Sequence, residues 1–512
     1  MRHPTGSILP LPTEQHVPAG APPFILTSAS RIYATDAVAS VSTYLATILR
    51  KSTGFSVPVV TAEGVGSAAG TGNNDQSGHD ITLLLDSDDK AEVGDEGYVL
   101  ETSANGALIT APTAAGLFYG VQSLRQLFPA ELEEHSVQSR AWEAIATSIV
   151  DRPRFRYRGA MLDVARHFFD ATEVCAFLDD LALFKINVLH LHLTDDQGWR
   201  LAIESRPELA EVGGANEVDG GPGGFYSRDD FARIVEHAAA RFITIVPEID
   251  VPGHTNAALS ALPELNPSGK AAAPYTGTEV GFSSLDTSSE TTWAFLDDVI
   301  REVAEQTPGP WLHFGGDESH ATDPADYREF VARASRLVAS HGKIPVAWHE
   351  AGISTDLAPG TVGQYWSFLI PENDSAERAL SFVRQGGSLI LSPADVAYLD
   401  MTYDESSPIG LSWAAGSTSV QEAYEWEPTN ILPDAASAIL GIEAPLWTET
   451  VRSRADIDYL VFPRLLAVAE IAWSVAPSES TRRAWSDFAA RLEAFGPRFD
   501  ALGIRPGGTV ST

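Results

Sequence analysis

From about residue 159 the chain alternates between two hydrophobic rhythms. Short runs in which almost every residue is apolar are separated by longer runs in which apolar residues recur every three or four positions. The first rhythm fits a strand buried on both faces, and the second fits a helix with one buried stripe. The strands expected on this basis are Gly159 to Val164, Asn187 to Leu193, Phe242 to Ile249, Trp311 to Gly315, Pro345 to Trp348, Thr361 to Trp366, Ser388 to Leu391 and Ile439 to Leu446. Helical periods lie between most of them, as at Arg228 to Arg241, Thr291 to Gln306, Pro324 to His341 and Ser375 to Gln385. Eight strands with helices between them predict an α/β fold of the (β/α)8 barrel type.

The preceding residues follow another order. Strands are expected at Phe24 to Ile32, Val57 to Val60, Ile81 to Leu85, Tyr98 to Thr102 and Ala107 to Ala111, and helices at Asp36 to Arg50 and Ala114 to Phe128. That order predicts a small α+β layer. Four arginines and a proline between Asp151 and Arg158 mark the boundary, so a domain over 1–150 and a barrel over 151–505 are expected. The Gly- and Ser-rich stretch from Glu63 to Asp80 has no period and is expected to be an exposed loop.

Charge narrows the choice of partner. The 512 residues carry a formal charge of -35, which repels phosphate backbones and anionic lipid surfaces, so neither nucleic acid nor a membrane is an expected partner. A neutral substrate is easiest to reconcile with it. No apolar run reaches the length of a membrane span. The first twenty residues hold four prolines and no apolar core of a secretory leader, so a cytoplasmic location is expected, the alternative being a secreted protein whose leader has been removed. The single cysteine, Cys175, excludes an internal disulfide and reads as a buried structural thiol. Oligomeric state is not readable.

In a barrel of this kind chemistry collects at the C-terminal strand ends and in the loops that follow. Those positions hold Asp163 and Arg166; His190, His192, Asp195 and Asp196; Glu248, Asp250 and His254; Asp317 and Glu318 after His313-Phe-Gly-Gly; Trp348 and His349; Trp366; Tyr398 and Asp400; and Trp447 and Glu449. Carboxylates that accept from hydroxyls, together with flat aromatic faces, are what a neutral sugar needs. Asp317 and Glu318 point different ways in extended chain and can do different work, although an Asp there also suits a helix cap. Trp348, Trp366 and Trp447 end three strands, and Trp413 sits in a long loop. At one open mouth such aromatics need a ligand to cover them. The competing reading from another class is a metal-dependent hydrolase using His190, His192, His254 and His313. Against it, the His pair is followed by further strand residues and is expected below the mouth, so neither metal nor organic cofactor is expected. A binding protein without catalysis is disfavoured by the presence of both acids.

The motifs Gly159-Ala-Met-Leu-Asp-Val-Ala-Arg-His-Phe-Phe169, Leu189-His-Leu-His-Leu-Thr-Asp-Asp-Gln-Gly-Trp199, Pro247-Glu-Ile-Asp-Val-Pro-Gly-His254, His313 to Glu318 and Ala444-Pro-Leu-Trp-Thr-Glu449 resemble those of the family 20 glycoside hydrolases. These are the β-N-acetylhexosaminidases and chitobiases. Glu96-Gly-Tyr-Val-Leu100 and Ala115-Gly-Leu-Phe-Tyr-Gly-Val-Gln122 are similar to the family's leading domain. The resemblance implies exo-acting, retaining hydrolysis of a terminal N-acetylhexosamine, GlcNAc or GalNAc, in which the substrate's acetamide oxygen is the nucleophile and an oxazolinium ion the intermediate. It implies Glu318 as acid and base, and Asp317 as the holder of the acetamide N–H. It implies Tyr398 as donor to the acetamide oxygen and Trp348, Trp366 and Trp447 as walls of the acetyl methyl. Arg166, Asp400 and Glu449 would take hydroxyls, Trp413 would be an outer platform, and Asp195 and His254 would support Glu318 from behind.

Overall fold

The computed structural model describes residues 7–61, 79–86 and 93–508. The expected loop at Glu63 to Asp80 therefore lies outside the described residues except for His79 and Asp80. The chain forms two compact units, one of residues 1–154, 182–185 and 469–512, the other of residues 155–181 and 186–468.

The first unit contains β1 (Glu14–His16), β2 (Phe24–Leu26), β3 (Ile32–Ala34), β4 (Val59–Thr61), β5 (Ile81–Leu85), β6 (Tyr98–Ser103), β7 (Gly106–Ala111), β8 (Trp142–Ala144) and β9 (Thr147–Asp151). Seven of them form one mixed sheet in the order β1-β9-β6-β7-β5-β3-β4, and β2 pairs with β8. Helices Ala39–Thr53 and Ala114–Leu127 turn apolar stripes inward, with Leu45, Leu49, Leu117, Val121 and Leu124 buried. The strand expected over Phe24 to Ile32 is two strands in different sheets. Its middle, Thr27 to Ser30, closes a turn in which the Ser30 N–H donates to the Thr27 carbonyl at 3.1 Å and the Thr27 N–H donates to Ser30 Oγ at 2.9 Å. Hydroxyl side chains that offer the backbone such local partners compete with a ladder.

The barrel expected over 151–505 ends earlier as a compact unit, at Val468. Beyond it, Glu470 is fully buried and bonds Arg491 through both oxygens at 2.7 Å, with the Leu11 N–H at 2.9 Å. A buried carboxylate is stable only where such partners exist, and these lie on helix Trp485–Leu502 and the N-terminal segment. A helical period reveals an apolar stripe without revealing which body it packs against.

In the second unit β10 (Tyr157–Asp163), β11 (Val188–His192), β12 (Thr244–Glu248), β13 (Trp311–His313), β14 (Ile344–Trp348), β15 (Val362–Tyr365), β16 (Leu389–Leu391) and β17 (Ile439–Leu446) close into a parallel barrel. The order follows the sequence, β17 pairing with β10. Every residue of β10 and β11 is buried, so most are apolar, while Arg158, Asp163, His190 and His192 are buried polar exceptions. The interior is layered. Tyr157, Val188, Val246, Val346, Val362 and Ile390 form an apolar cluster, and Met161, Trp348, Tyr398, Met401 and Trp447 form a second one. His190 links Glu248 at 3.1 Å and Glu443 at 3.0 Å as part of a buried polar group that also holds His192 and His313. No helix among the described residues is long and apolar enough to cross a membrane.

Candidate active site

The C-terminal strand ends surround a cavity of about 360 Å³, lined by Arg166, Asp317, Glu318, Trp366, Tyr398, Trp413, Trp447 and Glu449, with Thr278, Val280, Leu411 and Thr450 completing the wall. Eight of the twelve residues expected at the site therefore face one space. The other four, Asp195, His254, Trp348 and Asp400, lie around it without lining it. Trp348 is 1% exposed, gives its indole N–H to Glu248 at 2.9 Å and packs on Trp447 at 6.0 Å between ring centroids. It backs the cavity wall rather than forming it.

The acid pair is placed by an unusual backbone. Gly315 and Gly316 have φ of +67° and +97°, and Glu318, which is not glycine, has φ of +43°. Glycine is required at 315, where a Cβ would stand 1.7 Å from Asp250 Oδ1. The next amide, Gly316 N–H, donates to that same Asp250 oxygen at 2.9 Å. The loop is thus pinned to the segment after β12, and Asp317 and Glu318 are both delivered to the cavity. Gly315→Ala is expected to lower Tm and to reduce kcat/KM by more than tenfold, because the displaced turn carries both acids; thermal melts and initial rates check it.

Behind the pair stands a relay of buried charges. Arg166 NH2 meets Asp195 Oδ2 at 2.9 Å, as does His192 Nε2 at 2.9 Å, while His254 Nδ1 lies 3.2 Å from Asp195 Oδ1. Asp195 accepts only, so His254 Nδ1 donates to it; burial alone would lower His254, but Asp195 and Asp317 outweigh it and hold the imidazole protonated, with Nε2 turned toward Glu318 Oε2 at 3.5 Å and Asp317 Oδ2 at 3.8 Å. Burial alone would raise Asp195, but Arg166, His254 and His192 outweigh it and hold the carboxyl well below its usual range. Asp163 fixes the Arg166 loop, accepting from the N–H groups of Ala165 at 2.8 Å, Arg166 at 3.1 Å and Thr448 at 3.1 Å.

Asp317 has the opposite fate. Burial, then the nearby negative charges of Glu350 and Glu318, push it up to about 7 against the pull of His254. Its Oδ1, together with Asp400 Oδ2 and Glu449 Oε2, is a buried oxygen with no hydrogen-bond partner among the described residues. Burial comes first and neighbouring acid second in raising Asp400 as well, where the neighbour is Glu449. Unpartnered buried acceptors are costly in the free protein and are satisfied by a ligand that brings its own donors. The aromatic members make a box. Tyr398 stands edge-on to Trp413 at 5.7 Å and 81°, Trp366 to Trp413 at 6.1 Å and 72°, and Tyr398 lies 6.4 Å from Trp447. Trp413 remains 49% exposed at the rim.

Residues 155–476 match the family model "Glycosyl hydrolase family 20, catalytic domain", and residues 5–151 match its domain 2. The first match alone covers more than half of the chain. The chain belongs to glycosyl hydrolase family 20. It is 39% identical to a β-N-acetylhexosaminidase of Cellulomonas fimi over 505 residues, which span 98% of this chain and 96% of that protein. Among solved structures it resembles the family 20 β-N-acetylhexosaminidase of Streptomyces coelicolor A3(2), with TM-score 0.90, 44% identity and coverage of 98% and 97%. It also resembles a mutant Streptomyces plicatus β-hexosaminidase in complex with product (GlcNAc), with TM-score 0.90, 45% identity and coverage of 98% and 96%. This family 20 member is accordingly a glycoside hydrolase of the β-N-acetylhexosaminidase class.

Besides the wall residues Thr278, Val280, Leu411 and Thr450, one acidic residue beside this family 20 site escaped the sequence reading. Glu350, two residues past the end of β14, accepts the Trp366 indole N–H with both oxygens, at 3.0 and 3.1 Å, and its burial raises it from 4.5 to about 7. The strand-end rule covers Glu350, but only the fold shows that its charge is buried beside Asp317. In the folded enzyme Glu350 holds its proton up to about pH 7, and in the unfolded chain only up to its ordinary value near 4.5. Its contribution to stability is therefore present at low pH and lost as pH rises through that window, by a few kcal/mol at most, at roughly 1.4 kcal/mol per unit. Glu350→Gln is expected to raise Tm relative to wild type at pH 8 and to leave it nearly unchanged at pH 4, as calorimetric scans at the two values check.

Proposed function

We propose that the enzyme removes single N-acetylhexosamine residues, GlcNAc or GalNAc, from the non-reducing ends of oligosaccharides, with retention of configuration and with the substrate's own acetamide oxygen as the nucleophile. The observation that carries this reading is Asp317, a buried carboxylate with an unpartnered oxygen, set inside an aromatic box and next to Glu318. A carboxylate nucleophile has no need of a box that excludes water around a methyl group. A neutral acetamide that must be turned under the anomeric carbon does need one.

In this reading Trp366 and Trp447 clasp the acetyl methyl, with Trp348 holding Trp447 from behind. Tyr398 donates to the acetamide oxygen and Asp317 accepts its N–H, which becomes more positive as the oxygen attacks. Glu318 protonates the departing oxygen and then takes a proton from water, and His254, fixed by Asp195, orients it. Arg166, Asp400 and Glu449 bind ring hydroxyls, and exposed Trp413 offers a face to the next sugar. The GlcNAc product in the Streptomyces plicatus complex supports the choice of sugar. In the group of His190, Glu248 and His313, whose donor atoms lie within 4.8 Å of one another, His190 pairs with Glu248 and Glu443, burial holds His313 below its usual range, and none of the three lines the cavity, which does not favour the metal-hydrolase alternative. Hydrolysis of an aryl N-acetyl-β-glucosaminide followed by proton NMR tests the proposal: the β-anomer appears first if it holds, and the α-anomer first contradicts it.

A further inference from the structure

The chemistry above uses His254 and Asp317 but gives no part to Asp250 Oδ2, which lies beside them. Asp250, just past the end of β12, is 1% exposed, and while its Oδ1 accepts the Gly316 N–H, its Oδ2 has no hydrogen-bond partner among the described residues. His254 Nε2 and Asp317 Oδ1 are buried in the same condition. One donor atom from each of Asp250, His254 and Asp317 lies within 4.8 Å of the other two. Two carboxylates and an imidazole converge on one point.

The imidazole is oriented as a metal-binding histidine is. Asp195 accepts from Nδ1 at 3.2 Å, the arrangement in which a second carboxylate fixes the ring, and Nε2 faces Asp250 and Asp317 with a proton that an arriving cation would displace. A set of one nitrogen and two oxygens suits a borderline cation such as Zn²⁺, which is content with four mixed ligands. It does not suit Mg²⁺, which seeks six oxygens in an octahedron. Entry is available because Asp317 lines the substrate cavity.

We propose that Asp250, His254 and Asp317 form a binding site for a divalent cation of the zinc type, and that the ion acts there as an inhibitor of the enzyme. Glu318 Oε2, 3.5 Å from His254 Nε2, is within reach as a fourth ligand. A bound cation occupies the Asp317 oxygens that would meet the acetamide N–H and draws off the Glu318 oxygen that would carry the proton. The inhibitory part rests on the reading of Asp317 and Glu318 given above; the binding part does not.

Titration calorimetry of ZnCl₂ into the chelator-treated full-length enzyme, run beside initial rates on an aryl N-acetyl-β-glucosaminide, tests both parts. The expected result is a site whose affinity falls at least tenfold in Asp250→Asn and at least tenfold under saturating GlcNAc, with rates lost in step with occupancy and unaffected by equal MgCl₂. The GlcNAc competition and a zinc-soaked crystal, with anomalous density about 2.0–2.2 Å from His254 Nε2 and the two carboxylates, keep the test open should Asp250→Asn not fold. Zinc affinity unchanged in Asp250→Asn and under GlcNAc, or anomalous density only on other carboxylates, overturns the site. Zinc binding at these three residues by a protein inactive on every N-acetylhexosaminide would instead overturn the hydrolase reading and leave the site standing.

Discussion

Glu318→Gln is expected to lower kcat by about 10³ to 10⁴ on chitobiose, whose leaving hydroxyl must receive a proton to depart, the scale at which a positioned acid and base contribute. On an aryl glycoside with an acidic phenol the first step needs no such help, and the loss should be smaller. Glutamine keeps the size and the hydrogen-bonding edge of the side chain but has no proton to give and none to take. The Kd for GlcNAc should therefore change little, which separates loss of chemistry from loss of fold. Left-handed backbone at Glu318 is retained equally by both residues, so a Tm close to that of wild type is part of the expectation. Wild-type turnover on chitobiose in this variant would remove Glu318 from the reaction.

The second large effect belongs to Asp317→Asn. Under the proposed mechanism the buried carboxylate costs stability as a free group and repays it only when charge develops on the acetamide, so removing its charge should cut kcat by about 10² to 10³, the scale of losing one preorganised partner of a developing charge. Stability should move the other way. Because the folded enzyme holds the Asp317 proton up to about pH 7 and the unfolded chain only up to its ordinary value near 3.8, the fold is penalised as pH rises through that interval. Asparagine abolishes the penalty, so Tm at pH 8 should exceed that of wild type while kcat collapses. Slower turnover together with a lower Tm would point to simple structural damage. Paired kinetic and melting measurements at pH 8 decide between them.

Much of this was legible in the sequence for one physical reason: residues buried on both faces of a strand must nearly all be apolar, and β10 to β17 are such strands. Once the strands are located, the rule that chemistry sits at their C-terminal ends selects Arg166, Asp317, Glu318, Trp366, Tyr398, Trp447 and Glu449, all of which line one cavity. What was not legible depends on distances that no local pattern encodes. Glu350 follows Trp348 and His349 as an ordinary acidic residue, and only folding places it against the Trp366 indole. Thr278 and Val280 reach the cavity from a loop without periodicity. The positive φ at His254 and Glu318 is imposed by packing, not by residue type. Helix Trp485–Leu502 has a clear apolar stripe, yet its partners, Glu470 and Ile8 among them, are far away in sequence.

The account stands on the sugar supplying the attacking oxygen while the protein supplies a clamp for its amide. A thiazoline in which sulfur replaces that oxygen in the cyclic intermediate reports on this directly. Its inhibition constant, measured beside the Kd of GlcNAc, should be lower by at least about 10², as expected for a mimic of a species the site is built to stabilise. Equal affinity for the two would contradict the account.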